Sequence, residues 1–216
     1  MKQIPAATLD NAMDYAAYRS MISEGLASGK TTGENQGEAM LKYTKMNETR
    51  MNRLDKTTKL VEEVERELQA IQQPLTWLAL TEAWCGDAAQ VLPVVNKMAQ
   101  ASEHISFKLI LRDEHPDIMN AFLTNGGKSI PKIIVLDAQT RKVLGSWGPR
   151  PAEVQQMVME TKEELASMTD KAAKQQRYQA LVTKAQKWYA RDKTRRIQQE
   201  FLQAVRQSLN AEVTTL

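Results

Sequence analysis

At Pro74 the hydrophobic pattern of this chain changes period, and that change limits the fold more than any other feature. Before it, apolar residues recur at three and four. After it comes Leu75-Thr76-Trp77-Leu78-Ala79-Leu80-Thr81, a short, mostly apolar run of strand length. Ala88, Val91, Leu92, Val95 and Met98 then predict a helix over about 86–101, with Pro93 kinking it. A second strand is expected at 107–111. Pro116 suits the first turn of a short helix carrying Ile118, Met119, Phe122 and Leu123, which Asn125-Gly126-Gly127 ends. Residues 132–136 read as a third strand, and a turn at 137–141 leads to a fourth at 143–147. Gly148-Pro149-Arg150-Pro151 then restarts a helix. The order is β-α-β-α-β-β-α. Strands joined by a helix pair in parallel with a right-handed crossover, and a hairpin pairs antiparallel. An α/β fold with a four-stranded mixed sheet flanked by helices follows.

Helices are expected on both sides of this core. Met13, Ala16, Ala17 and Met21, with Tyr15, Tyr18 and Ile22 beside them, predict one amphipathic helix over about 5–26, with caps at Thr8 or Asp10. The glycine-containing stretch 28–37 breaks it. A second helical stretch over 38–71, interrupted near 55–58, carries Leu60, Val61, Val64, Leu68 and Ile71 on one stripe. Beyond Pro151 no proline or glycine punctuates the chain, so helix is expected to its end. The expected division is an N-terminal helical extension at 1–73, a core domain at 74–166 and a basic helical extension at 167–216.

Charge argues against some functions. With 29 basic and 26 acidic residues the net charge is only +3, so nucleic acid is not an expected partner. Locally, ten basic residues between Lys171 and Arg206 face only Asp192 and Glu200. A solvated face packed through Leu181, Trp188, Ile197, Phe201 and Val205 is the plainer reading of that arm, and homodimerisation is the most economical interaction it offers. No stretch approaches the roughly 20 apolar residues of a membrane span, and no membrane partner is expected. Gly25-Leu26-Ala27-Ser28-Gly29-Lys30-Thr31 has one residue too few between its glycines for a phosphate-binding loop. His104 and His115 are far apart with no second cysteine, so no metal site and no cofactor are expected.

The lone cysteine, Cys85, sits in Glu82-Ala83-Trp84-Cys85-Gly86-Asp87-Ala88, where a strand gives way to a helix. One cysteine forbids an internal disulfide, and a reducing cytoplasm is the expected compartment. A thiol at a helix N-terminus meets unpaired N–H groups and the positive end of the dipole, which lower its pKa from about 8.5 toward 7. Asp87 opposes this.

Trp84-Cys85-Gly86 between strand and helix, with Ser129-Ile130-Pro131 before the third strand, resembles the thioredoxin-like family over about residues 75–165. The resemblance implies a nucleophilic Cys85 facing a cis-Pro131 loop, with Ile130 supplying backbone to a bound substrate and Trp84, Gly86 and Asp87 shaping the site. It also exposes departures. Ala88 stands where the family's second cysteine is usual, Asp87 where proline is common, and Ala79 where thioredoxin carries a buried acid. Intramolecular release of a mixed disulfide is therefore impossible. Glu82 is a candidate proton acceptor, unless strand alternation points it to solvent. Arg112 is a candidate for stabilising a thiolate or a substrate carboxylate, against an ordinary ion pair with Asp113 or Glu114. The expected activity is monothiol exchange on a protein or small-thiol disulfide; the rival is a non-catalytic thioredoxin-fold interaction module. A lowered thiol pKa marks the first, and an ordinary buried thiol the second.

Overall fold

The computed structural model describes residues 2–213, and it begins with two helices where the sequence predicts one: α1 (Ala6–Asp10) and α2 (Tyr15–Ala27). The break is a tertiary effect. Met13 exchanges backbone hydrogen bonds of 3.0 and 2.8 Å with Leu109, and Asp14 then caps α2 by accepting from the Ala17 N–H at 2.7 Å. Pairing with a sheet edge satisfies the same backbone groups that helix continuation would. The next helical stretch is likewise divided, into α3 (Glu38–Thr57) and α4 (Glu62–Gln69). Across that gap the fully buried Gln198 accepts from the Val61 N–H at 2.8 Å and donates to the Lys59 carbonyl at 3.0 Å.

The core then follows the predicted order: β1 (Leu75–Thr81), α5 (Ala88–Ala99), β2 (Ile105–Leu111), α6 (Pro116–Ala121), β3 (Lys132–Asp137), β4 (Val143–Trp147) and α7 (Ala152–Ser167). The sheet order is β2-β1-β3-β4. β1 and β2 are parallel from Leu75 opposite Ile105 to Thr81 opposite Leu111, and β3 is antiparallel to both β1 and β4. The mixed four-stranded α/β sheet flanked by helices is thus the observed fold. Every residue of β1 is buried, which explains its apolar run without alternation. The topology brings the segments after β1, β2 and β4, and the segment before β3, to one edge of the sheet, where Cys85, Arg112, Arg150 and Pro131 lie.

The described residues end in α8 (Lys171–Asp192) and α9 (Arg195–Val213), and the helix expected over 214–216 lies outside them. Lys193 and Thr194, at φ of 52° and 70°, turn the chain back in left-handed conformation. α9 then lays Phe201 against the sheet, its ring 4.7 Å from Trp77 at an interplanar angle of 79° and 5.7 Å from Trp147. Phe201 and Trp77 are fully buried. Burying a side chain of this size contributes about 1.5–3 kcal/mol, and the edge-on geometry adds about 1 kcal/mol. Ile4, Tyr18, Leu68, Phe201 and Val205 share one continuous hydrophobic core with the strands, so the flanking helices and the sheet bury one another.

Candidate active site at Cys85

The loop between β1 and α5 is held by residues from the N-terminal helices. The Thr32 hydroxyl accepts from the Ala83 N–H at 2.8 Å, and the wholly buried Asn47 donates to the Ala83 carbonyl at 2.9 Å. Gly33, at φ +78°, passes so close that a Cβ there would sit 2.6 Å from Asp113 Oδ2 and 3.3 Å from Trp84 Nε1. Neither Thr32 nor Asn47 stood out in the sequence.

Cys85 lies just before α5. Its Sγ–H donates to the Ile130 carbonyl at 3.2 Å, and Sγ accepts from the Ala88 N–H at 3.5 Å. The Ile130–Pro131 peptide bond is cis, as is Gly148–Pro149. Gly148 approaches the Pro131 carbonyl so closely that a Cβ would lie 2.4 Å from it, and its φ of +114° is open only to glycine. The turn after β4 therefore packs directly on the Pro131 loop.

The electrostatics differ from the expectation of a lowered thiol pKa. Burial pushes the Cys85 thiol up to about 12, and the Asp87 carboxylate adds to the rise. The N–H groups of Ala88 and Asp87 and the Arg150 guanidinium act the other way. The helix-terminus effect is present, but withdrawing the thiolate from water outweighs it. Only 8% of Cys85 is exposed.

Asp87 is occupied by other partners. Arg150 binds its Oδ2 at 2.8 Å through both Nε and Nη2, and the Tyr189 hydroxyl of α8 donates to its Oδ1 at 2.8 Å. Gln90 donates to Gln186 at 2.6 Å beside this link, so α8 is fastened across the start of α5 by two polar bonds. Trp84 is half-buried, with the Arg112 guanidinium 4.9 Å from its ring centroid. Arg112 also pairs with Asp113 at 2.8 Å. Glu82 faces inward, fully buried, with Oε1 accepting from the Asp113 N–H at 2.9 Å and Oε2 without a hydrogen bond. Burial raises its pKa first and Asp113 adds to this; among the described residues no hydrogen bond joins it to the thiol. The structure thus brings Trp84, Cys85, Gly86, Asp87, Arg112 and Ile130 to one cavity and leaves Glu82 behind it.

That cavity, of about 410 Å³, has Cys85 among its lining residues. It is lined by α3, through Met40, Tyr43, Met46 and Arg50, and by α7 and α8, through Val154, Val158, Tyr178 and Leu181. A second cavity of about 560 Å³ shares Met40, Trp84, Arg112 and Lys128 with it. The walling of the thiol by helices from both ends of the chain was invisible in the sequence, because it depends on pairings such as Asp87–Tyr189 that have no local signature. Among the described residues, no group of three or more His, Cys, Asp and Glu is placed to hold a metal ion, and no helix is long and apolar enough to cross a membrane.

A sheet of this order with Cys85 before α5 and Pro131 before β3 agrees with a family model described as Thioredoxin, which matches residues 33–164. The chain belongs to the thioredoxin family. The match begins in the Gly33 loop, so the family's span includes α3 and α4 as well as the sheet. Among solved structures, a protein of unknown function from Pseudomonas aeruginosa is similar over 94% of this chain and 98% of its own, at 19% identity and a TM-score of 0.55. That likeness is one of fold. An HIV epitope-scaffold is similar over 69% of this chain and 79% of its own, at 23% identity and a TM-score of 0.48. A search of curated proteins yields no match.

Proposed function

We propose that this thioredoxin-family protein carries out monothiol thiol–disulfide exchange through Cys85. The supporting observation is the placement of its Sγ in the lining of a cavity, between the Ala88 N–H at 3.5 Å and the Ile130 carbonyl at 3.2 Å beside cis-Pro131. In the first step the Cys85 thiol gives its proton to solvent, and the thiolate attacks one sulfur of a disulfide R–S–S–R′. A Cys85–S–S–R bond forms, the S–S bond breaks, and R′S⁻ leaves and is protonated. With one cysteine in the chain, the second step needs an external thiol R″SH, which attacks the R sulfur and returns Cys85 to the thiol. The Ile130 carbonyl and the Ala88 N–H position Sγ. The raised thiol pKa makes this a slow nucleophile at rest, so a substrate seated in the cavity is what makes the reaction effective. A reducing cytoplasm suits such a cycle.

The same burial, with a thiol pKa raised rather than lowered, favours a second reading, a non-catalytic interaction module in which Cys85 is an ordinary small core residue. Intact-mass measurement after incubation with a small disulfide separates the two. Exchange predicts one adduct on the native protein, none on Cys85→Ser, and loss of the adduct on adding a small thiol. A native protein that stays unmodified while its urea-unfolded form reacts makes the interaction module the correct reading.

A further inference from the structure

The cavity beside Cys85 carries a charge imbalance that monothiol chemistry alone does not require. Arg50, Arg112, Lys128, Arg150 and Lys162 line it, and among the described residues Asp87 is its only carboxylate. Asp87 is already taken by Arg150 and Tyr189, and Arg112 is paired with Asp113. Arg50, Lys128 and Lys162 have no carboxylate within ion-pair distance among the described residues. Arg50 is the most telling of the three. It is half-buried on α3, its Nη1 donates to Asn47 Oδ1 at 2.9 Å, and a Cβ on Gly86 would lie 3.8 Å from it. Burial and the neighbouring Arg53 hold its pKa below the ordinary arginine value although the Asp87 charge acts the other way, so the carboxylate already in the cavity does not offset the cost.

Size sets the second limit. A cavity of about 410 Å³ lined by residues of α3, α7 and α8 falls within the roughly 300–1,000 Å³ of small-molecule sites. Met40, Met46, Val158 and Leu181 add apolar side chains to the same lining.

We propose that this cavity selects small anionic molecules with a short apolar body, and that the disulfides exchanged by Cys85 are of this class. The inference rests on the exchange reading for its substrates but not for its binding site, and the test keeps the two apart. Dithiodipropionate, hydroxyethyl disulfide and cystamine are dialkyl disulfides that are respectively dianionic, neutral and dicationic. The rate of adduct formation on the native protein is measured for each and divided by the rate for the urea-unfolded chain. The expected order is anion over neutral over cation, with steps of about tenfold, falling toward unity in about 0.5 M salt and in Arg50→Gln or Lys162→Gln. Lys162 is exposed, so its variant answers the question even if the half-buried Arg50 proves necessary for folding. In parallel, calorimetric titration of Cys85→Ser with dithiodipropionate reads binding where exchange is impossible. Saturable, salt-sensitive binding there supports the anion site even if no adduct forms on the native protein, an outcome that removes only the exchange reading. Equal relative rates for the three disulfides, together with no binding to Cys85→Ser, overturn the inference while leaving exchange intact.

Discussion

The C-terminal arm meets the sheet domain in two places, and the two contacts are made of different materials. Under α9 the contact is dry: Phe201 fits between Trp77 and Trp147, with Val205 buried beside them. Under α8 the contact is polar. Tyr189 reaches Asp87 and Gln186 meets Gln90, with a cavity left open beside them. A dry contact has every reason to close fully, because each methylene removed from water adds about 0.8 kcal/mol. A polar contact fixes distance and orientation instead, since each hydrogen bond nets only about 1 kcal/mol but tolerates little displacement. The same arm therefore supplies stability at one end and shape at the other.

The largest effect that would break this comparison lies in the dry contact. Phe201→Ala is expected to cost about 3–5 kcal/mol in denaturant unfolding, by lost transfer energy and the cavity left behind. If the folded variant also shows an altered pH profile for Cys85 alkylation, the two contacts are not separable. Next comes the N-terminal wall. Asn47→Ala orphans the Ala83 carbonyl and an Arg50 donor, and a loss of about 2 kcal/mol is expected, with faster alkylation of Cys85 as the loop loosens.

Tyr189→Phe sharpens the polar side. It removes one hydrogen bond to Asp87 while keeping the ring, so about 1 kcal/mol of stability should go, and Cys85 alkylation at neutral pH should rise severalfold as α8 loosens. The smallest effect is expected from Asp87→Asn. Deleting the carboxylate removes a charge that raises the thiol pKa, so the midpoint of alkylation should fall. It should nonetheless stay above that of the unfolded chain, because burial is the larger cause; a midpoint unchanged by the substitution would show that the Asp87 charge does not reach the thiol.

The sequence was legible wherever structure is decided locally. The apolar run of β1, the hairpin of β3 and β4, and Pro116 at the start of α6 follow from period, length and turn residues, whereas the meeting of Cys85 and Pro131 is what the resemblance to the thioredoxin-like family implies. It was illegible wherever distant residues compete for the same backbone. Met13 reads as helix until Leu109 takes its hydrogen bonds, and the gap before α4 is stabilised by Gln198 at the far end of the chain. The thiol pKa failed for a related reason. Position at a helix start is written in the motif, whereas burial of Cys85 depends on helices tethered through Asn47 and Tyr189. Asp87 reads as a group opposing the thiolate and does raise the thiol pKa, whereas the binding of its two oxygens by Arg150 and Tyr189 has no local signature.

The central claim is that Cys85 is a thiol masked by the helices that wall its cavity. Its most direct test is the rate of alkylation across pH, compared between the native and urea-unfolded chain with Cys85→Ser as the blank. A native midpoint well above the unfolded one, with slower reaction at neutral pH, is the predicted result. A native midpoint below the unfolded one, with reaction faster than that of the free thiol, would contradict it.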